Sequence, residues 1–244
     1  MLRDRFTELG SGFAVAVIPA RGGSKGIPRK NLRMINGETL IARCVRTCRK
    51  ARLLSAVFVS TDDEEIASEA KAAGAEVIGR PSSLAGDTVP TTDVLSHAID
   101  AAGICSMVVC LVQCTAPLTT PQDVDGTIAR LLETDADCAI ACVETHDFQV
   151  RPGYDGRLRG VGYELAGGLP RRQDLPPLYA IAGSVWAYNL ERFVARSTMY
   201  SENCVAYPVA RRLDIDTQED LELAAILLSP ATKRADSAAC QYPL

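Results

Sequence analysis

The stretch IPARGGSKGIPRKNL (18–32) has the residue types that bind phosphate groups. Glycines let backbone N–H groups approach an anion closely, and lysine and arginine add positive charge. The glycines are Gly22, Gly23 and Gly26, and the cations are Arg21, Lys25, Arg29 and Lys30. The spacing matches neither the P-loop GxxxxGK[ST] nor the dinucleotide motif GxGxxG. We therefore predict a triphosphate-binding loop of a different kind, with a solvated basic turn as the alternative.

Two aspartates near the other end of the chain, Asp214 and Asp216, have the spacing of a metal site. In an extended segment, residues i and i+2 point to the same face, so both carboxylates can reach one cation. Two hard oxygen ligands suit Mg²⁺, which fills its other positions with water and substrate phosphate. The pair therefore predicts a Mg²⁺ site, and an acidic turn that caps the next helix is the alternative.

Two other polar loops follow apolar runs. In STDDEE (60–65), we expect residues 60–62 to cap the helix that follows. In VQCTAPLTTPQDV (112–124), Gln113 and Thr115 are neutral hydrogen-bonding groups that suit a base or a sugar better than a phosphate. A plain turn is the alternative for the second loop.

A cationic loop combined with a carboxylate pair indicates nucleotidyl transfer. In this reaction Mg²⁺ bridges phosphate oxygens, and lysine and arginine stabilise the pyrophosphate that leaves. An acceptor oxygen attacks the α-phosphorus in line. The rival interpretations are a sugar-1-phosphate nucleotidyltransferase that uses another nucleotide, and a nucleotide-binding protein without turnover.

The elements that must position these residues alternate between buried strands and amphipathic helices. Strands are predicted at 13–20, 56–60, 76–78, 106–112, 138–143, 183–190 and 204–209, and helices at 38–50, 63–73, 91–102, 121–133 and 217–228. This alternation predicts an α/β fold with a Rossmann-like, mostly parallel sheet. In such sheets, ligands bind beyond the carboxyl ends of the strands, which is where the polar loops fall.

We predict one domain over 13–228. Residues 145–182 interrupt the alternation with glycine, proline and arginine, and we expect an excursion of hairpin and loop pieces there. The ends, 1–12 and 229–244, are expected to be flexible tails.

Composition narrows the class of protein. The net charge of −4 over 244 residues argues against general binding to nucleic acid or to anionic membranes. The first residues have no apolar core typical of a signal peptide, and no apolar run approaches the length of a membrane span. The nine cysteines form no CxxC pair, so we predict buried free thiols in a reducing cytoplasm.

Six motifs occur in the order found in the acylneuraminate cytidylyltransferases, the CMP-sialic acid synthetases and their relatives. They are ARGGSKGIPRKNL (20–32), STDD (60–63), RPSSLAGDT (80–88), LVQCTAPL (111–118), RRQDLP (171–176) and LDIDTQEDL (213–221). The resemblance covers about 13–228. It implies a nucleotide-diphospho-sugar transferase type of fold and an enzyme that transfers CMP from CTP to an acidic acceptor with Mg²⁺. It also implies a homodimer, with 145–182 as the dimerisation element close to the acceptor site.

The resemblance assigns roles to individual residues. The nucleotide-binding set that it implies is Arg21, Gly22, Gly23, Ser24, Lys25, Lys30, Asn31, Arg80, Asp87, Gln113 and Thr115. Within this set, Asn31 and Arg80 read cytosine. The acceptor-binding set is Gln113, Arg172, Gln173 and Tyr179. The catalytic residues are Arg21, Lys25, Asp214 and Asp216, of which the two aspartates are the Mg²⁺ ligands.

The chain departs from the family on the acceptor side. Where the family often has QPTSPLR, this chain has QCTAPLT, so that Cys114, Ala116 and Thr119 replace proline, serine and arginine. Ala182 and Gly183 stand where sialate enzymes have Asn-Gly. A site built to bond a hydroxyl loses much affinity when a partner is missing. We therefore expect the acceptor to be another nonulosonic acid or a small acid such as a phosphonate, not ordinary N-acetylneuraminate.

Overall fold

The apolar runs of the sequence form the strands of a seven-stranded sheet in the computed structural model of this protein. The structure describes residues 13–24, 26–145, 147–165, 168, 171–210 and 213–229. The strands are β1 (Ala14–Pro19), β2 (Met34–Ile35), β3 (Glu38–Thr39), β4 (Leu54–Thr61), β5 (Glu76–Gly79), β6 (Val108–Val112), β7 (Cys138–Thr145), β8 (Val150–Pro152), β9 (Leu158–Gly160), β10 (Leu178–Asn189) and β11 (Cys204–Pro208).

The main sheet has the strand order β11-β7-β10-β6-β1-β4-β5. Neighbours are parallel from β6 through β1 and β4 to β5, and β11 is parallel to β7. Strand β10 is antiparallel to β6 and β7, between which it lies. The predicted α/β fold with a mostly parallel sheet is therefore confirmed.

The described part of the chain contains six α-helices. They are α1 (Leu40–Lys50), α2 (Glu64–Ala72), α3 (Thr91–Ala102), α4 (Pro121–Leu132), α5 (Leu190–Arg196) and α6 (Gln218–Leu227). Thr120 and Thr217 cap α4 and α6, and in each case the third helical residue, an aspartate, completes a capping box.

Apolar residues pack on both faces of the sheet and in a third, separate cluster. One face of the sheet packs against α1, α2 and α4, and the other packs against α3 and α5. The third cluster joins the loop after β1 to the segment before α6 and consists of Ile27, Ile35, Leu40, Ile215, Leu221 and Ala224. It fixes the two segments that carry the predicted phosphate and metal ligands relative to each other.

Two features of the second half differ from the sequence predictions. Strand β10 begins at Leu178, because 178–181 pair with β7 instead of belonging to the excursion. Helix α5 was not predicted; its seven residues are too short to produce a clear helical periodicity. Before β10, the predicted hairpin is present and is formed by β8 and β9.

Some of the sequence predictions concern residues outside the described part of the chain. The tail 1–12, nearly all of 229–244 and Lys25 lie there. Among the described residues, no helix is long and apolar enough to cross a lipid bilayer. The eight cysteines of the described chain are free thiols, and six of them are buried.

A substitution at Asp137 tests how much this residue contributes to holding β7, β11 and α5 together. Its buried carboxylate accepts hydrogen bonds from Ser201 and Arg192 at 2.6 and 3.3 Å, and it pairs with Arg196. Asp137→Asn should lower the free energy of unfolding by about 1.5 to 3 kcal/mol, because hydrogen bonds to a charged group are lost. Urea denaturation measures this loss.

The matched control is Asp135→Asn. Asp135 also pairs with Arg192, but its side chain is 92% exposed. An exposed ion pair contributes at most about 1 kcal/mol. Equal losses in the two variants would contradict the role given to Asp137.

Candidate functional site

A cavity of about 490 Å³ lies beyond the carboxyl ends of β1, β5 and β6. It is the position in which ligands bind to open α/β sheets. Ten of the predicted site residues line it: Arg21, Ser24, Lys30, Asn31, Arg80, Asp87, Gln113, Thr115, Asp214 and Asp216. The topology thus brings residues from four separate motifs into one site.

The aspartate pair faces the cavity because the residue between the two is buried. Ile215 has no exposed surface and packs in the third cluster, whereas Asp214 and Asp216 both line the cavity. The Ile215 N–H donates to the Thr115 carbonyl at 2.9 Å, so the segment is also tied to the loop after β6. The predicted i, i+2 geometry is present.

The pKa of the Asp214 carboxyl is raised although the residue is exposed at the open cavity. Burial by the surrounding protein raises its pKa above the ordinary 3.8, a hydrogen bond from Thr115 opposes the rise, and the charge of Asp216 adds to it. A cation placed beside both aspartates would remove this penalty.

Lys30 connects the phosphate loop to the aspartate pair. Its Nζ donates to the Ile215 carbonyl at 2.6 Å and to Asp216 Oδ1 at 3.0 Å. Gly26 lies against the same segment, and a Cβ on it would come within 2.5 Å of the Asp216 carbonyl oxygen. The glycine is therefore needed for the close approach of two backbones.

The acidic cluster after β4 shapes the phosphate loop. Asp62 accepts a hydrogen bond from the Gly22 N–H at 3.0 Å. The expectation that residues 60–62 cap the next helix is wrong, because Asp63 caps α2 by accepting from the N–H groups of Glu65 and Ile66. Asp63 also forms an ion pair with Arg29, which therefore holds the loop in place from outside the cavity.

Arg21 is paired within the cavity wall. Its guanidinium lies 2.6 Å from Asp87 Oδ1 and contacts the Ala85 carbonyl at 3.4 Å. A phosphate that approaches Arg21 must share it with the Asp87 carboxylate or displace the carboxylate. The motif RPSSLAGDT is thus brought to the phosphate loop.

Two buried polar side chains line the inner part of the cavity. Arg80 is 8% exposed and donates to the Ser60 carbonyl at 2.6 Å and to its hydroxyl at 3.2 Å. Asn31 is 6% exposed and donates to the Arg21 carbonyl at 2.9 Å. Both side chains are therefore held in one orientation before any ligand enters.

The sequence interpretation missed part of the lining. Trp186, on β10, is 7% exposed, and its indole N–H has no hydrogen-bond partner within the described structure. Val94 and Leu84 line the cavity as well. The tryptophan is the only one in the chain, which was the one signal that could have drawn attention to it.

Not every predicted site residue lies at the cavity. Gly22 and Gly23 belong to the loop but are not among its lining, and Lys25 lies outside the described residues. Two of the remaining acceptor candidates, Gln173 and Tyr179, also lie away from the lining, and the side chain of Arg172 lies outside the described part of the structure. Their role in binding the acceptor stays a prediction.

The departures from the family motif have different positions. Cys114 and Gly183 line the cavity. Thr119, by contrast, donates to the Ala116 carbonyl at 2.8 Å and lines a separate small cavity beside α1.

The two capping boxes offer a matched pair of variants. Asp220 in the α6 box accepts from the N–H groups of Asp216 and Thr217 at 3.1 and 2.8 Å, so this box also anchors the aspartate pair. Thr217→Ala and Thr120→Ala should each lower the free energy of unfolding by about 1 kcal/mol. Only Thr217→Ala should weaken binding of Mn²⁺, followed by calorimetry. Equal effects of the two variants on Mn²⁺ binding would contradict the anchoring role.

The raised pKa of Asp214 predicts a pH-dependent gain in stability on substitution. The contribution of Asp214 to the stability of the wild type falls as pH rises from 3.8 through the raised pKa, because the folded protein then loses a proton that it prefers to keep. Asp214→Asn should therefore melt slightly higher than the wild type at neutral pH, and the difference should vanish in acid. Asp216→Asn, which removes the partner of Lys30, should show no such gain. Thermal unfolding at neutral and at acidic pH measures this difference in melting temperature. A gain that is independent of pH would contradict the conclusion that burial raises the pKa of Asp214.

Comparisons with known proteins agree with this geometry. The family model described as Cytidylyltransferase matches residues 15–238. An N-acylneuraminate cytidylyltransferase of Streptococcus agalactiae is 28% identical over 214 residues, which are 84% of this chain and 51% of that protein. The pseudaminic acid cytidylyltransferase of Campylobacter jejuni is 28% identical over 87% of this chain and 95% of its own. The CMP-N,N'-diacetyllegionaminic acid synthase of Legionella pneumophila is 29% identical over 88% of this chain and 95% of its own.

Solved structures share the fold. A CMP:2-keto-3-deoxy-manno-octonic acid synthetase complexed with CTP superposes with a TM-score of 0.68 at 21% identity, over 89% of this chain and 98% of its own. A 4-diphosphocytidyl-2C-methyl-D-erythritol synthase from Anaerococcus prevotii superposes with a TM-score of 0.65 at 14% identity, over 90% of this chain and 99% of its own. The chain spans about half the length of the streptococcal relative. The match over residues 15–238 shows that this chain belongs to the cytidylyltransferase family.

Proposed function

We propose that this protein transfers CMP from CTP to an acidic acceptor and releases pyrophosphate. The observation that carries the proposal is that the cations Arg21 and Lys30 share one cavity with the carboxylates Asp214 and Asp216. Cations are required where the triphosphate binds and where pyrophosphate departs, and carboxylates are required where a metal ion bridges phosphate oxygens. Family membership supports the same reaction.

The donor set of the cavity fits Mg²⁺. Asp214 and Asp216 are hard oxygen ligands, and the unfavourable ionisation of Asp214 would be relieved by a divalent cation. Within the described residues, no group of three or more candidate ligands exists. Water and phosphate oxygens would therefore complete the coordination, as is usual for Mg²⁺. When bound, the ion would neutralise charge on the phosphate oxygens.

The residues of the chain divide the remaining work. Arg21 and Lys30 would bind the phosphates, with Ser24 beside them and Lys25 assigned by the motif alone. A triphosphate would compete with Asp87 for Arg21, at 2.6 Å, and with Asp216 for Lys30, at 3.0 Å. Both cations are thus already oriented toward the cavity, which lowers the cost of organising them on binding.

Asn31 and Arg80 would recognise the cytosine base, and Gln113 and Thr115 would contact the sugar and the acceptor. The first two are buried and hydrogen-bonded to the backbone, so they present fixed donors and acceptors. Fixed polar groups discriminate strongly against a ligand that leaves them without a partner.

We propose that the acceptor is an acid other than ordinary N-acetylneuraminate, either another nonulosonic acid or a small acid such as a phosphonate. Trp186 carries a buried N–H that a ligand oxygen could satisfy, and Val94 and Leu84 add apolar lining. Gly183, after Ala182, provides no side-chain donor at the cavity. The names of two relatives, which act on pseudaminic and N,N'-diacetyllegionaminic acid, favour the nonulosonic class.

We further propose that the protein is a cytoplasmic homodimer in which the excursion after β7 lies at the interface. Apolar side chains are exposed there, on the hairpin and at the start of β10: Val150, Leu158, Tyr179 and Ile181. An exposed apolar surface of this kind is typical of an interface between subunits. A partner's excursion would also bring Gln173 and Tyr179 toward a site that they do not line within one chain, and Arg172 is assigned to the acceptor by the motif alone. Light scattering tests the dimer.

The acceptor panel is the decisive activity test. With CTP and Mg²⁺, pyrophosphate release should require CTP among the four nucleotides and should be fast with pseudaminic, legionaminic or deoxyoctulosonic acid or with a small phosphonate. Rapid formation of CMP-N-acetylneuraminate would refute the acceptor proposal. Preference for another nucleotide and a sugar 1-phosphate would favour the rival transferase.

A substitution at Asp216 tests the proposed role of the aspartate pair in binding the metal ion. Asp216→Ala should lower the rate of pyrophosphate release by more than about 100-fold, because even outer partners of metal ligands cost 10- to 100-fold. Glu219→Gln, three residues further along on the exposed first turn of α6, is the matched control and should leave the rate unchanged. Undiminished release in Asp216→Ala would show that the metal assignment is wrong, and binding without release in the wild type would favour the non-catalytic interpretation.

A further inference from the structure

The Asn31 amide is held at both ends. Its Nδ2 donates to the Arg21 carbonyl at 2.9 Å, and its Oδ1 lies 3.1 Å from the Sγ atom of Cys114. Both Asn31 and Cys114 line the cavity, and Cys114 is only 2% exposed. The pair joins the phosphate loop to the loop after β6.

The chemistry of the partners decides which way the amide points. The Arg21 carbonyl can only accept, so the NH₂ group of Asn31 must face it. Oδ1 then faces Cys114, and the thiol must be the donor. Burial raises the pKa of the Cys114 thiol to about 12, so it carries its proton at neutral pH.

The loop that carries Cys114 is itself fixed on both sides of this residue. The Gln113 N–H donates to the Ser184 carbonyl at 2.9 Å, and the Thr115 carbonyl accepts from Ile215 at 2.9 Å. The thiol therefore has a defined position relative to Asn31. Because each of the two bonds uses one site of the amide, one N–H and one oxygen lone pair remain for a ligand.

A ligand in this cavity is indicated independently by Trp186, whose buried N–H has no partner in the described structure. Cytosine and uracil differ in the donors and acceptors on one edge of the ring. A freely rotating amide can match either pattern, whereas a fixed amide favours one of them.

We propose that Cys114 is a positioning residue that locks the Asn31 amide for one pyrimidine and so contributes to the choice of CTP over UTP. This inference rests on the proposed function, in which Asn31 contacts the base. It also gives a role to a residue at which the chain departs from the family motif.

The test compares two nearly isosteric variants by calorimetric binding of CTP and UTP. Cys114→Ala removes the donor and should raise the Kd for CTP about threefold to tenfold, with a smaller ratio of UTP to CTP constants. Cys114→Ser keeps a donor and should bind CTP within about twofold of the wild type. A role in packing alone would move both variants equally.

Controls separate this inference from loss of structure. Cys110→Ala makes the same deletion at a fully buried position in β6 that does not line the cavity, and it should not change CTP binding. If Cys114→Ala and Cys114→Ser fail to fold, Cys114→Thr and Cys114→Val provide the same comparison of a side chain with a donor and one without, at larger side-chain volume.

The outcomes are distinguishable. CTP binding by the wild type with equal constants for Cys114→Ala and Cys114→Ser overturns the positioning role alone. Absence of CTP binding by the wild type overturns the proposed function and the inference together. Weaker CTP binding by Cys114→Ala, together with CTP binding by Cys114→Ser close to that of the wild type, supports the inference.

Discussion

The burial of Ile215 between two aspartates is the constraint on which the candidate site depends. Removing an isoleucine side chain from water stabilises the fold by about 1.5 to 3 kcal/mol, and the strand-like alternation then turns both neighbouring carboxylates toward the cavity. The same residue donates its N–H to Thr115 and accepts from Lys30 through its carbonyl. One apolar contact thus determines where three polar segments meet.

Electrostatic pairing organises the rest of the site. Three cations in the described part of the loop pair with acidic partners from other motifs, Arg21 with Asp87, Lys30 with Asp216 and Arg29 with Asp63. The first two pairs line the cavity, where the proposed triphosphate would compete with their carboxylates, whereas the third holds the loop from outside. Burial raises the pKa of the Asp214 carboxyl, so a cation beside it would favour its charged form.

Prediction from the sequence succeeded where a local pattern has one physical solution. The buried runs before 20, 61 and 113 could only be strands, and their order produced the parallel core of the sheet. It failed where a choice depended on distant partners. Residues 60–62 and Asp63 all have capping side chains, and the hydrogen bond from Gly22 to Asp62 is a contact across forty residues that no local pattern contains. Strand β10 likewise begins early because β7 is there to pair with it.

The sequence by itself determined the alternation of strands and helices, the glycine-rich cationic loop, the aspartate pair and the kinship with cytidylyltransferases, since each of these depends on neighbouring residues or on a linear order of motifs. Only the tertiary structure decided that Trp186 enters the cavity, that Thr119 stays out of it, and that Cys114 donates to Asn31. These outcomes depend on which side of a strand or loop packs against the core, and that packing is a property of the whole chain.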